Sequence, residues 1–285
     1  MIAARSGLDE NSPLINEVID KRCADCHTSC GQCHISRPDA VLEGLVLEHA
    51  IYKTPSDDEN CTRCHGSRVG EEFNGSGFGN PADLHKMAGM GCLDCHSGNE
   101  FHGSEKSYKT RYEVDESPLC TDCHVDIEGL NDFHTSGHLE KVACQVCHSR
   151  PYKNCYQCHV GIEEKGIRFP SEIDFRIGKN PIKSARHPQD YAVLRHPPIA
   201  PDTFDDWGIE LKNFTSLPTW KYATPHNIRR YTPQTSRCEN CHENTNYFLT
   251  TEYIQSRIDE GIMVGPELEA NAPVIVDKIT EIDED

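Results

Sequence analysis

The chain has 285 residues and a formal net charge of −18. Only 36% of it is hydrophobic and its mean hydropathy is −0.63. Such acidity argues against nucleic acid as a partner, and so few apolar residues leave a core that needs help from something other than side chains.

No stretch approaches the ~20 apolar residues of a membrane span. The nearest, Ala40 to Tyr52, is broken by Glu43, Glu48 and His49. No charged n-region and apolar h-region opens the chain.

All 16 cysteines fall in eight Cys-x-x-Cys-His motifs. In chain order they are Cys23/Cys26/His27, Cys30/Cys33/His34, Cys61/Cys64/His65, Cys92/Cys95/His96, Cys120/Cys123/His124, Cys144/Cys147/His148, Cys155/Cys158/His159 and Cys238/Cys241/His242. This spacing is the attachment signature of c-type haem: two thiols form thioethers and the adjacent histidine reaches the iron. Zinc ribbons, a disulfide framework or a thioredoxin-like pair use Cys-x-x-Cys without needing the histidine. With 16 histidines in 285 residues, eight such placements by chance are on the order of 10⁻¹⁰.

Eight of the histidines lie outside the motifs: His49, His85, His102, His134, His138, His187, His196 and His226. The tally supplies one distal ligand per iron, and bis-histidine ligation is the expectation. His85 and His138 sit just ahead of the motifs at Cys92 and Cys144, and His226 ahead of that at Cys238. His134 and His138, four apart, can share a helical face and serve two haems. Met87 and Met90 read as packing residues.

Motif starts at 23, 30, 61, 92, 120, 144, 155 and 238 give a loose repeat of about 30 residues in the middle of the chain. Cys30 follows His27 by three residues and Cys155 follows His148 by seven, so those porphyrins are forced close together. Three regions follow: 1–160, dense in haem with seven motifs; 161–250, a ligand-donating lobe with the eighth; and 251–285, a haem-free acidic tail offering an inter-subunit contact. Gly 20 and Pro 17 break most segments. The expected fold is mostly irregular with short α-helices and little β, a compact multihaem cytochrome c organised around a stack of eight covalently bound haems. Short helices are expected at the motifs, with longer ones over Pro38 to Lys53 and Leu249 to Glu260. Asn74 to Pro81 reads as a Gly-rich connector, and Ala272 to Ile279 as a short strand.

The stretches CTRCHGSRVGEEFNG (61–75), DLHKMAGMGCLDCHSGNEFHG (83–103), CQVCHSRPYKNCYQCH (144–159) and TWKYATPHNIRRYTPQTSRCENCH (219–242) resemble multihaem cytochromes c, most nearly the octahaem kind. One subgroup holds enzymes related to hydroxylamine oxidoreductase and octahaem tetrathionate reductase; another holds secreted cytochromes that polymerise into conducting filaments. The tetrathionate-reductase kind carries a lysine in place of one motif histidine, whereas all eight motifs here end in histidine. No tyrosine matches the haem cross-link of the hydroxylamine-oxidoreductase kind. The resemblance therefore implies eight haem c, electron transfer without substrate chemistry, and a homopolymer that meets other redox proteins or extracellular electron acceptors. The alternatives are an oxidoreductase of small sulfur or nitrogen compounds and a soluble periplasmic shuttle. Haem c is attached outside the cytoplasm, so the expected location is extracytoplasmic, at the cell surface or beyond with the periplasm as the alternative, and the chain reads as mature or renumbered.

Overall fold

A computed structural model describes residues 2–20, 54–55, 60–65, 69–75, 81–103, 106, 108–150, 154–156, 171–173, 175–197 and 199–278. Two strands, β1 (Asn154–Tyr156) and β2 (Ser171–Ile173), pair antiparallel with Cys155 opposite Glu172. A second sheet has the order β3–β4–β5, from β3 (Phe175–Lys179), β4 (Tyr191–Arg195) and β5 (Lys221–Tyr222), all antiparallel.

β4 is the centre of this sheet. Its YAVLR sequence is apolar on both faces, as a strand covered on both sides must be. Val193 packs with Phe175, Ile177, Phe248 and Val276, together with Ala143 and Val146 of the motif helix Cys144–His148. Leu194 packs on the other cluster, with Trp220, Leu249, Ile254, Met263 and Val274. Gly178 on β3 lies against this second cluster. A Cβ there would stand 2.3 Å from Leu194 Cδ1 and 2.8 Å from the Val274 carbonyl, so no larger residue fits.

The β3–β4 turn is tied by one side chain. Asn180 donates to the carbonyls of His187 and Gln189 (3.0 and 2.9 Å) and accepts from Ile182 N–H (3.0 Å). The turn thereby holds His187. The helix Ile2–Ser6 is pinned by buried Arg5, which donates to the carbonyls of Phe214, Leu217 and Pro218. The helix Pro13–Val18 starts as its sequence dictates. Ser12 caps it, accepting from Ile15 N–H, and Pro13 takes the first turn, where no N–H is needed.

Helices elsewhere are short. The motifs form the helices Thr62–His65, Cys144–His148 and Glu239–His242, and tighter 3-10 turns at Cys92–Asp94 and Cys120–Asp122. The expected helix over Leu249 to Glu260 runs Thr251–Asp259, capped by Thr250. The expected strand at 272–279 does not form in its described part, 272–278. Ala272–Val274 is a 3-10 turn, because Pro273 has no N–H for a ladder. Val274 and Val276 then bury in the two clusters, and Val276 N–H bonds to the Leu249 carbonyl at 2.9 Å. The tail to Lys278 is thus packed on its own chain. The helix expected at Pro38 to Lys53, the centre of the Gly-rich connector (76–80) and the acidic close (281–285) lie outside the described residues.

Leu194→Ala is expected to lower stability by about 3 kcal/mol, the cost of an unfilled cavity where the neighbours cannot collapse. Denaturant unfolding of the haem-loaded protein measures it; a loss below about 1 kcal/mol would mean β4 is not the centre of the core.

Candidate haem-binding sites

Three motifs turn their histidine the same way. The histidine N–H bonds back to the carbonyl of the first cysteine: His96 to Cys92 and His124 to Cys120 at 2.9 Å, His242 to Cys238 at 3.0 Å. One helical turn therefore carries both thiols and the ring. At two motifs an aspartate inside the turn closes it further. Asp94 accepts from Gly91 N–H at 2.7 Å, and Asp122 accepts from Leu119 N–H at 2.8 Å.

The described cysteines are free of disulfides. The structure does not seat all of them in the protein interior. Cys95, Cys120, Cys123 and Cys238 are exposed, whereas Cys61, Cys92, Cys144, Cys147 and Cys241 are partly covered. Cys123 follows the 3-10 turn Cys120–Asp122, and its N–H makes only a long bond, 3.4 Å, to the Cys120 carbonyl. A haem edge bonded there would supply its cover. Cys123 also faces the preceding motif: desolvation first, and then the charge of Cys123, push the Cys95 thiol up.

Four motif histidines each face a histidine from outside the motifs. Ring centres are 6.3 Å apart for His96 and His226, and 6.0 Å apart for His124 with His85, His148 with His134, and His242 with His138. Two imidazoles on opposite faces of one iron, bonded at about 2 Å each, have centres about 6.3 Å apart. Among the described residues, every histidine–histidine ring pair joins one motif histidine to one free histidine.

The second ring nitrogens settle which way the rings point. Nδ1 of His148 lies 3.0 Å from the Arg229 carbonyl, and Nδ1 of His138 lies 3.1 Å from the Phe133 carbonyl. A carbonyl only accepts, so these Nδ1 atoms carry the proton and Nε2 keeps its lone pair. His134 meets the Asn131 side-chain oxygen at 3.1 Å. His85 and His96 meet carboxylates instead, Asp83 at 2.9 Å and Glu100 at 2.8 Å. Burial pulls His226 below the ordinary histidine pKa, which favours the neutral ring that a metal needs.

Two buried carboxylates hold the segment that carries His226. Glu72, in the helix Glu71–Asn74, pairs with Arg195 of β4 and accepts from His226 N–H at 2.6 Å. Asp83 caps the helix Leu84–Met87, accepting from His85 N–H at 2.7 Å, and also accepts from Ile228 N–H at 2.6 Å. Gly75, at φ 70°, lets the chain turn between these two helices; a Cβ would lie 2.1 Å from Ala82 N.

The four pairs are neighbours in the order Cys92, Cys120, Cys144, Cys238. Glu100 joins the first two, accepting from Ser117 Oγ at 3.1 Å while it holds His96. Cys120 and Cys144 share a hydrogen bond, which pushes the first thiol up and pulls the second down to about 7 before attachment. Gln145 Nε2 reaches Cys120 Sγ at 3.9 Å. The approach to Cys238 is sewn onto the Cys144 motif: Thr232 donates to the Cys147 carbonyl, and Gln234 to those of Val146 and Ser149.

Large apolar side chains stand in solvent beside these rings: Met87, Phe101, Val125 and Phe133 are each at least 60% exposed. Each lies within two residues in sequence of a ring in one of the pairs, or in contact with one, as Phe101 is with His96. A flat apolar cofactor between the rings covers such groups. Haem c supplies a one-electron iron couple; the chain orients the rings and sets their basicity. Sequence-near motifs did not foretell the pairs. His85 faces the motif at Cys120, His226 that at Cys92, and His138 that at Cys238; His134 and His138 face the histidines of different motifs.

His187 and His196 sit differently. Nε2 of His187 is buried with no hydrogen-bond partner, and its ring meets those of Tyr112 and Tyr222, which also meet each other. Nε2 of His196 is 2.5 Å from Glu267 Oε2, both side chains buried, with the ring tilted over Trp220. His65 and His102 end the helices Thr62–His65 and Gly98–His102 and stand outside the four pairs. Cys61 precedes the first of these, and Cys64 lies within it. Cys23, Cys26, His27, Cys30, Cys33, His34, His49, Cys158 and His159 lie outside the described residues.

Sequence reading missed Asp83, Glu100 and Asn131. Their signal is spacing: Asp83 two before His85, Asn131 three before His134, and Glu100 four after His96.

A family model described as cytochrome c554 and c-prime matches residues 99–149. That span contains two complete motifs, Cys120/Cys123/His124 and Cys144/Cys147/His148, and the distal candidates His102, His134 and His138. The match supports a c-type cytochrome, with haem c as cofactor and electron transfer as its role. No curated protein and no solved structure matches the chain. Among the described residues, no helix is long and apolar enough to cross a membrane.

His134→Ala is expected to turn one haem high-spin while its thioethers stay intact, and His196→Gln to change no spin state. Electron paramagnetic resonance of the oxidised protein reads both. An unchanged spectrum for His134→Ala would remove that ring from the ligands.

Proposed function

We propose that the chain carries eight haem c and passes electrons along them, with no substrate chemistry of its own. Four motif-and-free histidine pairs at 6.0–6.3 Å carry this reading. An iron held by two histidines has no open face, which suits transfer and disfavours catalysis. Contacts between neighbouring motifs make a continuous run for the charge, and one electron moves per step. His187, with its orphaned buried Nε2, is the fifth distal ligand, serving a motif outside the four pairs. His49 and His102 complete the in-chain set.

His196 is left out of that set, because Glu267 occupies its Nε2. Seven free histidines then face eight motifs. The missing ligand comes from a neighbouring copy, joined head to tail in an extracytoplasmic filament. A second reading rests on the same shortage: the short site is an open catalytic iron for a small sulfur or nitrogen compound.

Electron microscopy of the native protein, paired with paramagnetic resonance and cyanide titration, separates these readings. Filaments with every iron low-spin are expected. Discrete particles with one cyanide-binding high-spin iron would establish the enzyme reading. Discrete particles with every iron low-spin would leave a soluble shuttle.

A further inference from the structure

The four histidine pairs differ in what holds their Nδ1 atoms. At the Cys92 and Cys120 sites the acceptor is a carboxylate: Glu100 for His96, whose facing ring His226 has a buried Nδ1 with no hydrogen-bond partner, and Asp83 for His85. At the Cys144 and Cys238 sites the acceptors are neutral: the Arg229 carbonyl for His148, the Asn131 amide oxygen for His134 and the Phe133 carbonyl for His138. Both carboxylates are well shielded, with side chains 2% and 16% exposed, so water screens little of their charge.

A ring that donates to an anion is a stronger base toward its metal than one that donates to a carbonyl. Stronger donation favours the ferric over the ferrous state and lowers the reduction potential. The split falls along the physical order of the sites. Cys92 and Cys120 are adjacent, and Cys144 and Cys238 follow them.

We propose that Asp83 and Glu100 are tuning residues that hold the Cys92 and Cys120 haems at low potential, so that electrons run from that half toward the Cys144 and Cys238 half. The proposal rests on the ligand pairing. Each transfer moves one electron and breaks no bond. Neither carboxylate touches the iron; each acts through the ring it holds.

The ring planes sort the sites into two classes. They cross at 66° for His85 and His124 and 65° for His138 and His242, but at 22° for His96 and His226 and 14° for His134 and His148. The angle between two axial rings shapes the low-spin ferric spectrum, so each class holds one haem of either half, and the variant that moves a signal assigns it within its class.

The test is a redox titration of the full haem-loaded chain followed by paramagnetic resonance, in wild type, Asp83→Asn, Glu100→Gln and Asn131→Asp. Asn and Gln can still accept the hydrogen bond but carry no charge, so a merely structural role leaves the potential in place. Glu100→Gln is expected to raise the potential of the 22° haem by a tenfold change in its reduction equilibrium, about 59 mV for a one-electron couple. Asp83→Asn is expected to do the same for the 66° haem. Asn131→Asp is expected to lower the Cys144 haem. Asp83 also holds the backbone of Ile228, so Glu100→Gln decides the matter if Asp83→Asn misfolds. Low-spin signals that persist with no haem moved by even threefold would overturn the tuning. A wild-type spectrum without low-spin ferric signals would defeat the pairing beneath it.

Discussion

One interaction recurs at five of the eight paired rings, His85, His96, His134, His138 and His148: Nδ1 meets a fixed oxygen, and the ring centre stands about 6 Å from that of another histidine. At His138 and His148 the acceptors are backbone carbonyls, so the orientation is written into the chain path itself. At His85 and His96 the acceptors are carboxylates that also tie down other segments. Lose the Nδ1 bond and the ring rotates freely, and a gap sized for one iron loses its definition.

The apolar sheet exists to hold these polar fixings still. β4 packs against both clusters and ends at Arg195, which reaches Glu72; Glu72 in turn grips the backbone of His226. One side of the same core takes in Ala143 and Val146 from the Cys144 motif. A rigid strand therefore reaches ligands of two sites through one or two contacts. His196, the next residue after β4, is spent on the core instead. Its pair with Glu267 joins a knot with Thr219 and Asn271, in which Thr219 Oγ1 donates to Glu267 at 2.6 Å.

The Cys-x-x-Cys-His motifs were legible in the sequence, because the pattern is local and chemically demanding. How far each thiol is covered was not: Cys123 is exposed while Cys147, at the same place in the next motif, is partly covered by the packing of its helix. The facing histidines were not legible as pairs. His226 lies 12 residues before Cys238 yet faces His96, since Glu72 and Asp83 draw its segment across the molecule. Sequence distance says nothing about such long-range polar anchors. His196 looked like its fellows, and only the fold reveals that Glu267, 71 residues away, claims its ring. The Thr251–Asp259 helix was readable as part of the expected Leu249 to Glu260 segment. The expected strand after it was not, because apolar alternation at Val274 and Val276 serves two clusters with no ladder partner.

A density map of the haem-loaded protein, by electron microscopy or crystallography, tests the central claim most directly. An iron is predicted between His96 and His226, His124 and His85, His148 and His134, and His242 and His138. A map with any of these rings opposite a different ligand, or with no iron between one of the pairs, would contradict it.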